Sequence, residues 1–487
     1  MEENIQFGTD GWRAVIADGF TFANVRTVIN AVAVAATQLS PPDGVDRSLL
    51  VVGYDRRFLS REFAQEAALV LSKSGFNVLL SSTPLPSPAV SLAVTRHKAL
   101  GGIVITASHN PARYNGIKFK AWYGGSALPE IYDRISGNLG KEIRRGGGSV
   151  EEINLLDDYV TTLRSHLDVA LMRSAELRIL HDPIYGVSAG IPARILDVAD
   201  SDRRYTPRLR RTERRPLHGW PVLKTIRGEA NPSFAGVNPE PIAENLVPTM
   251  RLMNRGRYDL AICNDGDSDR LGVIDDRGVF VSPHKIISLL AVYLVRTRGM
   301  SGEIVKTFST SRLVERVAHG LGMPLHETPI GFKYVTDLML TRNILIGGEE
   351  SGGIGLGFFL PERDGVLTGL LLAECVAAHR KKLSQIVAEM ESEFGTFHYD
   401  RRDLYRSPEV CAAFIERART GALDSSFGFQ MGEREEKDGV KLNFKDGSWL
   451  LFRKSGTEPM IRIYCESPEQ ERVEHLLGTA VAELDRS

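Results

Sequence analysis

Three short apolar runs constrain this chain most, because each one ends in a loop of small and polar residues. Ile103-Val-Ile105 runs into Thr106-Ala-Ser-His-Asn-Pro111, and Leu260-Ala-Ile-Cys263 into Asn264-Asp-Gly-Asp-Ser-Asp-Arg270. Ile344-Leu-Ile346 runs into Gly347-Gly-Glu-Glu-Ser-Gly-Gly353. Consecutive aliphatics read as strands buried on both faces, as in a parallel sheet. A strand of that kind delivers its loop to the carboxyl edge of an open α/β sheet, where such sheets place their chemistry. Helical stretches at Val25–Leu39, Arg61–Ser74 and Ala89–Arg96 alternate with strands at Leu49–Gly53 and Asn77–Leu80. That alternation is the βαβ signature. Repeated α/β domains, with their loops facing a common cleft, are therefore expected.

The spacing divides the chain into four units. Residues 1–165 carry the Ser108 loop, 166–280 the acidic loop with an Arg-rich insertion at 201–216, and 281–393 the Gly-rich loop. In 394–487, strands near Val440–Phe444 and Ser448–Phe452 precede a closing helix, Gln470–Leu484. A length of 487 residues exceeds one ordinary core and fits this division. The formal net charge of -1 leaves no global field to draw nucleic acid or an anionic membrane. The longest near-apolar run, Ile286–Val295, is about half of a membrane span. Cys263, Cys375, Cys411 and Cys465 form no CxxC pair, which argues against a zinc site or disulfide framework and for a reducing compartment. The opening MEENIQFGTDGW lacks the basic and apolar regions of a secretory signal. The expectation is a cytoplasmic protein with neither nucleic acid nor membrane as partner. Ser201–Pro216 holds seven arginines, which in a neutral chain read as a solvated loop rather than a nucleic-acid arm.

Asp265-Gly-Asp-Ser-Asp-Arg270 sets three carboxylates at alternate positions of one turn. Clustered anionic oxygens repel unless a cation neutralises them. An EF-hand is disfavoured, because its sixth position is Arg270 instead of Gly and its twelfth is Asp276 instead of Glu. Hard oxygens on a tight turn suit Mg²⁺ with coordination left open for a phosphate oxygen, and Arg270 beside a dication makes sense only if an anion joins them. Arg453-Lys-Ser-Gly-Thr457 has the make-up of a phosphate nest, to which Arg462 adds a second fork. Gly347–Gly353 combines a flexible backbone with Glu and Ser groups that suit vicinal sugar hydroxyls. Ser108 next to His109 invites a hydrolase reading, but no G-x-S-x-G elbow surrounds them, and adjacent side chains on an extended chain point apart. A loop hydroxyl, a hard-metal site, a phosphate nest and a polyol-binding turn together describe phosphoryl transfer on a sugar phosphate.

Four of these stretches resemble the signature loops of the α-D-phosphohexomutase family: Thr106–Pro111, Asp265–Arg270, Gly348–Gly352 and Arg453–Pro459. They stand in that family's order, and the resemblance runs from Phe7 to about Glu466. It implies three similar α/β/α mixed-sheet domains around a central cleft plus a smaller C-terminal α+β domain. It also implies that Ser108 is a phosphoserine and that Asp265, Asp267 and Asp269, with the Ser108 phosphate, hold Mg²⁺. By the same pattern Glu349 and Ser351 grip the sugar's O3 and O4, while Gly331 and Lys333 line the cleft. Arg453, Ser455, Gly456 and Thr457 take the phosphate that is not transferred, and Arg13 matches the family's opening-loop arginine.

The implied activity interconverts the 1- and 6-phosphates of a hexose, glucose and also mannose, through a 1,6-bisphosphate. Glucose 1,6-bisphosphate is the implied activator and a monomer or homodimer the implied assembly. A phosphoglucosamine mutase and a non-catalytic sugar-phosphate-binding relative are the alternatives; Thr106 leans toward glucose and mannose. For the proton acceptor, Lys118 matches the family's Asn-Gly-x-Lys position, with Lys120 as its competitor and His109 as an assistant. A lysine suits that role when burial or nearby cations lower its pKa. One departure stands out: many relatives end the sugar loop in His, where this chain has Gly353, and this shifts weight to Lys118.

Overall fold

The computed structural model describes residues 5–8, 10–143, 145–198, 222–454 and 459–486. The Arg-rich stretch 201–216 lies outside the described residues. Four sheets follow one another along the chain. The first has seven strands, in the order Phe7–Gly8, Gly11–Val15, Tyr114–Ala121, Ala99–Ile105, Asp46–Tyr54, Asn77–Ser81 and Val150–Ile153. The second has five, in the order Phe280–Val281, Leu271–Asp275, Leu260–Asn264, Arg178–Asp182 and Val222–Thr225. The third has four: Leu325–Thr328, Glu303–Thr307, Ile344–Gly348 and Ile354–Leu356.

One arrangement recurs in these three sheets. Ala99–Ile105 is parallel to Asp46–Tyr54 on one side and antiparallel to Tyr114–Ala121 on the other. Leu260–Asn264 is likewise parallel to Arg178–Asp182 and antiparallel to Leu271–Asp275. Ile344–Gly348 is parallel to Glu303–Thr307 and antiparallel to Ile354–Leu356. Each functional loop is thus the turn where the chain leaves a parallel strand and doubles back on it. All seven residues of Ala99–Ile105 and all five of Leu260–Asn264 and Ile344–Gly348 are buried. That burial is why the three runs carry no alternation.

The fourth sheet is wholly antiparallel, in the order His398–Tyr405, Met460–Ser467, Trp449–Lys454, Val440–Phe444 and Met431–Glu435. Helices Pro408–Thr420 and Gln470–Asp485 bury Phe414, Val473, Leu476 and Leu477 against it, in a core of its own. The expected fold class holds in these terms: three mixed-sheet α/β units and a smaller α+β unit. The charged stretch 157–165, at which the first unit was expected to end, is a helix, Leu156–Ser165. Its Tyr159, Val160 and Leu163 join a core that also includes Val90 of the first unit and Leu196 of the second. Among the described residues no helix is long and apolar enough to cross a membrane.

Candidate active site

Ser108 leaves the strand Ala99–Ile105 in a left-handed backbone conformation, φ 53°, and is 1% exposed. Its N–H donates to Thr106 Oγ1 at 2.9 Å, and its Oγ donates to Asp265 Oδ2 at 2.7 Å. The first and second sheets therefore meet at Ser108. A Cβ on Gly266 would stand 2.5 Å from the Ser108 carbonyl oxygen, so the two loops can approach this closely only with glycine there. The positive φ also corrects one expectation. The chain is not extended at Ser108, and His109 Nδ1 comes within 3.4 Å of Ser108 Oγ instead of pointing away. Burial, then repulsion from Arg270, Arg13, Lys118 and Arg57, pushes the His109 pKa well below the ordinary imidazole value. The ring is accordingly neutral and can accept a hydrogen bond.

Asp265, Asp267 and Asp269 are fully buried, and each places a carboxylate oxygen within 4.8 Å of the others'. Asp267 Oδ1 and Asp269 Oδ1 have no hydrogen-bond partner. Buried carboxylate oxygens without donors are costly unless a cation completes them. The residues present thus fit a hard divalent ion. Burial and repulsion from its two neighbours raise the Asp265 pKa well above the usual carboxylate range. Asp267 is held below that range: burial opposes ionisation, but Lys118 outweighs it.

Lys118 lies on Tyr114–Ala121, opposite Val104 of the Ser108 strand. Its ammonium stands 2.8 Å from Asp267, 2.9 Å from Asp269 and 3.1 Å from Asp10. Burial disfavours the charged form, yet these three carboxylates together raise the Lys118 pKa above the ordinary lysine value. The expectation that cations lower it is not met here, because anions surround it. The competitor Lys120, two residues on along the same strand face, is paired with Glu362, with Ser126 beside it.

Arg270 closes the acidic turn, its N–H donating to Asp265 Oδ1 at 3.0 Å and its guanidinium reaching Glu240 at 3.4 Å. Its backbone pairs with Gly353, and Leu271 N–H donates to Gly352 O at 2.9 Å, which joins the acidic loop to the Gly-rich loop. In that loop Glu349 is buried and Ser351 half-buried. Burial pushes the Glu349 pKa up to about 7, against the pull of Arg363. Gly331, at φ 132°, starts the helix Phe332–Thr341, and Lys333 lies on its first turn over the Tyr334 ring. Arg13, on Gly11–Val15, donates to Asn110 Oδ1 of the serine loop.

Arg453 and Arg462 stand directly opposite each other on adjacent antiparallel strands. Two like charges so placed repel, and the arrangement suits a shared anion. Arg453 Nε donates to Asp438 Oδ1 at 2.9 Å, and Asp438 Oδ2 accepts the Ile330 N–H at 2.9 Å. Asp438 thus ties Arg453 to Ile330, just before Gly331 and the helix Phe332–Thr341. Ser455, Gly456 and Thr457 lie outside the described residues.

Sequence reasoning missed the side chains that tie these loops together. Arg363 lies 2.8 Å from Asp269, 2.7 Å from Asp10 and 3.4 Å from Glu349, linking three units. Ser87 N–H donates to Asp267 O at 2.9 Å and its hydroxyl to Asp267 Oδ2. Asp10 stands three residues before Arg13, and Asp55 and Arg57 follow the strand Asp46–Tyr54, but none of the three was given a role. Arg363, in Pro361-Glu-Arg-Asp-Gly365, had no such signal.

Four domain descriptions of one family match the chain. They are Phosphoglucomutase/phosphomannomutase alpha/beta/alpha domain I at 4–145, domain II at 219–278, domain III at 282–394, and the C-terminal domain at 400–482. The chain is 29% identical to a phosphoglucomutase/phosphomannomutase of Thermococcus kodakarensis, over 99% of this chain and 98% of that protein. It is 30% identical to a candidate phosphoglucosamine mutase of Methanothermobacter thermautotrophicus, over 88% of each. The crystal structure of a candidate phosphomannomutase from Thermus thermophilus superposes with a TM-score of 0.84 at 36% identity, covering 100% of both chains. With its four signature loops and all four domains matched, the chain belongs to the phosphoglucomutase/phosphomannomutase family.

Proposed function

We propose that this chain is a phosphohexomutase that interconverts hexose 1-phosphate and hexose 6-phosphate, with glucose as the preferred sugar and mannose as a second. The observation that carries the reading is the buried Ser108 Oγ, 2.7 Å from one member of a carboxylate triad with unpartnered oxygens. A buried hydroxyl bonded to one carboxylate of a cluster that could hold a cation suits a phosphate carrier. Asp265, Asp267 and Asp269 would hold Mg²⁺, which neutralises charge on a phosphoryl group in transit.

In the first half-reaction the bond from phosphorus to Ser108 Oγ breaks and a bond to the free sugar hydroxyl forms. That hydroxyl loses its proton, and Ser108 Oγ keeps the electron pair of the broken bond. His109, neutral beside Ser108, and Lys118 are the groups placed to manage protons here. Lys118 accepts one only when its three carboxylates are otherwise engaged. Glu349 and Ser351 would hold O3 and O4, which exchange places when the bisphosphate turns so that C1 and C6 swap. Arg453 and Arg462 would hold the idle phosphate, and Ser108 then takes back the other one. Glucose 1,6-bisphosphate primes the cycle by phosphorylating Ser108. We assign the units 1–165, 166–280, 281–393 and 394–487 to the serine, metal, sugar and phosphate loops.

The test is Ser108→Ala, assayed with glucose 1-phosphate and glucose 1,6-bisphosphate. The wild type gains the mass of one phosphoryl group at Ser108 and forms glucose 6-phosphate; the variant does neither. Turnover that persists in the variant refutes the carrier role, and free phosphate without isomer marks a phosphatase. The Methanothermobacter relative keeps glucosamine open as substrate, so glucose, mannose and glucosamine 1-phosphates are compared in one assay.

A further inference from the structure

Tyr54-Asp-Arg-Arg57, at the end of the strand Asp46–Tyr54, takes no part in the chemistry above, yet Arg57 is wholly committed to the serine loop. Its guanidinium is fully buried. Nη2 donates to the carbonyls of Ser108 and Asn110, both at 2.7 Å. Nη1 donates to the carbonyls of Pro111 at 3.0 Å and Tyr114 at 3.1 Å. The Phe234 ring of the second unit covers the guanidinium at 4.9 Å.

Asp55 fixes the arginine in turn. Its Oδ2 lies 3.2 Å from Arg57 Nε and accepts the Thr106 hydroxyl at 2.7 Å. Its Oδ1 accepts the Arg57 N–H at 2.9 Å and the Ser60 hydroxyl at 2.7 Å. Thr106 Oγ1 then accepts the Ser108 N–H at 2.9 Å. The Ser108 peptide is thus held on both sides, its N–H through Thr106 and Asp55, its carbonyl by Arg57.

Ser108 needs such a hold. A serine at φ 53° costs roughly 1–3 kcal/mol and persists only where its surroundings over-determine it. Relaxation to negative φ would swing Oγ off Asp265. Four carbonyl dipoles converging on one buried point also repel unless a cation lies among them. A planar fork reaches four acceptors at once, whereas an ammonium presents its donors from a single atom.

We propose that Asp55 and Arg57 are positioning residues for phosphoryl transfer, which hold Ser108 in its left-handed turn so that Oγ stays aimed at the metal loop. The inference rests on the phosphate-carrier reading of Ser108. It is distinct from a purely structural role, in which loss of the clamp would lower stability and leave transfer per folded, phosphorylated molecule unchanged.

The test uses the full chain with Arg57→Lys and, in case that variant folds poorly, Thr106→Val, which keeps shape but cannot accept the Ser108 N–H. Three quantities are read: kcat and KM for glucose 1-phosphate, the single-turnover decay of phospho-Ser108 per phosphorylated molecule, and hydrogen exchange over residues 106–114 without substrate. The expected result is a fall of about tenfold or more in kcat and in single-turnover rate. KM stays within about twofold, and exchange over 106–114 is faster. Wild-type transfer per phosphorylated molecule in both variants, or unchanged exchange, overturns the proposal. If the wild type itself converts no hexose phosphate, the mutase reading falls, and exchange over 106–114 alone decides whether the clamp exists.

Discussion

Gly353 has no room for a side chain: a Cβ there would stand 2.4 Å from Cδ and 3.2 Å from Cγ of Arg363. The Arg363 side chain, from another segment, fills this space. It sets a positive charge between Asp269 and Glu349 that cannot carry a proton, since an arginine does not deprotonate. Two outcomes are expected. Gly353→Ala displaces Arg363 and lowers kcat by about tenfold or more. Arg363→Met leaves buried carboxylates short of a partner and costs about 3 kcal/mol of stability. Thermal unfolding and steady-state kinetics check both, and wild-type kcat in Gly353→Ala would show that the space is not needed. Residues of this kind explain why Lys118 was placed by its motif while its ionisation was not. Its place was read from the Asn-Gly-x-Lys pattern, but its three anionic neighbours come from elsewhere in the chain.

At the scale of an element, the helix Gly365–His379 is almost wholly buried and starts at an unusual cap. Asp364 accepts the Leu367 N–H at 2.8 Å and the Tyr159 hydroxyl at 2.8 Å, and Tyr159 comes from the helix Leu156–Ser165. An ionised cap carboxylate normally favours a helix N-terminus. Here burial dominates, opposed by the Leu367 and Tyr159 bonds, and the Asp364 pKa rises to about 7. In the unfolded chain the same group releases its proton near pH ~4. Between about pH 4 and 7 the folded state therefore binds more protons than the unfolded state, and stability falls as pH rises. Asp364→Asn keeps an acceptor for the Leu367 N–H and removes that slope, a change on the order of 4 kcal/mol by pH 7. Denaturant unfolding at a series of pH values reads it directly. An unchanged slope in the variant would assign the pH dependence to other groups.

At the scale of the whole molecule, apolar contacts join the units as well as polar ones: one core runs through the first three, and Phe308 of the third packs with Trp449, Leu451 and Tyr464 of the fourth. Arg312, at the start of the helix Arg312–Gly320 in the third unit, grips the C-terminal unit. It donates to Gly447 O at 3.0 Å and Asn443 Oδ1 at 2.7 Å, and its own N–H donates to Glu466 at 2.9 Å. Arg453 and Arg462 ride on that C-terminal sheet. Arg312→Ala should therefore loosen the docking of the phosphate-binding unit without touching Ser108. KM for the hexose phosphate rises several-fold, about 1 kcal/mol of binding, while single-turnover transfer at saturating substrate is nearly unchanged. An unchanged KM would show that the junction does not govern phosphate binding.

The sequence by itself determined the strand-to-loop units, the acidic triad and the alternation of strand and helix. Each is written within a few consecutive residues: burial on both faces of a strand leaves an unbroken apolar run, and three carboxylates on one turn stand close whatever the rest of the chain does. The tertiary structure alone decided what joins them. Arg363 meets Asp10 across 353 positions and Asp269 across 94. Arg57 meets Ser108 across 51, and Ser87 meets Asp267 across 180. No periodicity encodes such pairs, because they arise only once segments distant in sequence pack together. The backbone turn at Ser108 belongs with them. The left-handed Ser108 is held locally only by Thr106 Oγ1; the rest of the hold comes from an aspartate and an arginine that follow the neighbouring strand.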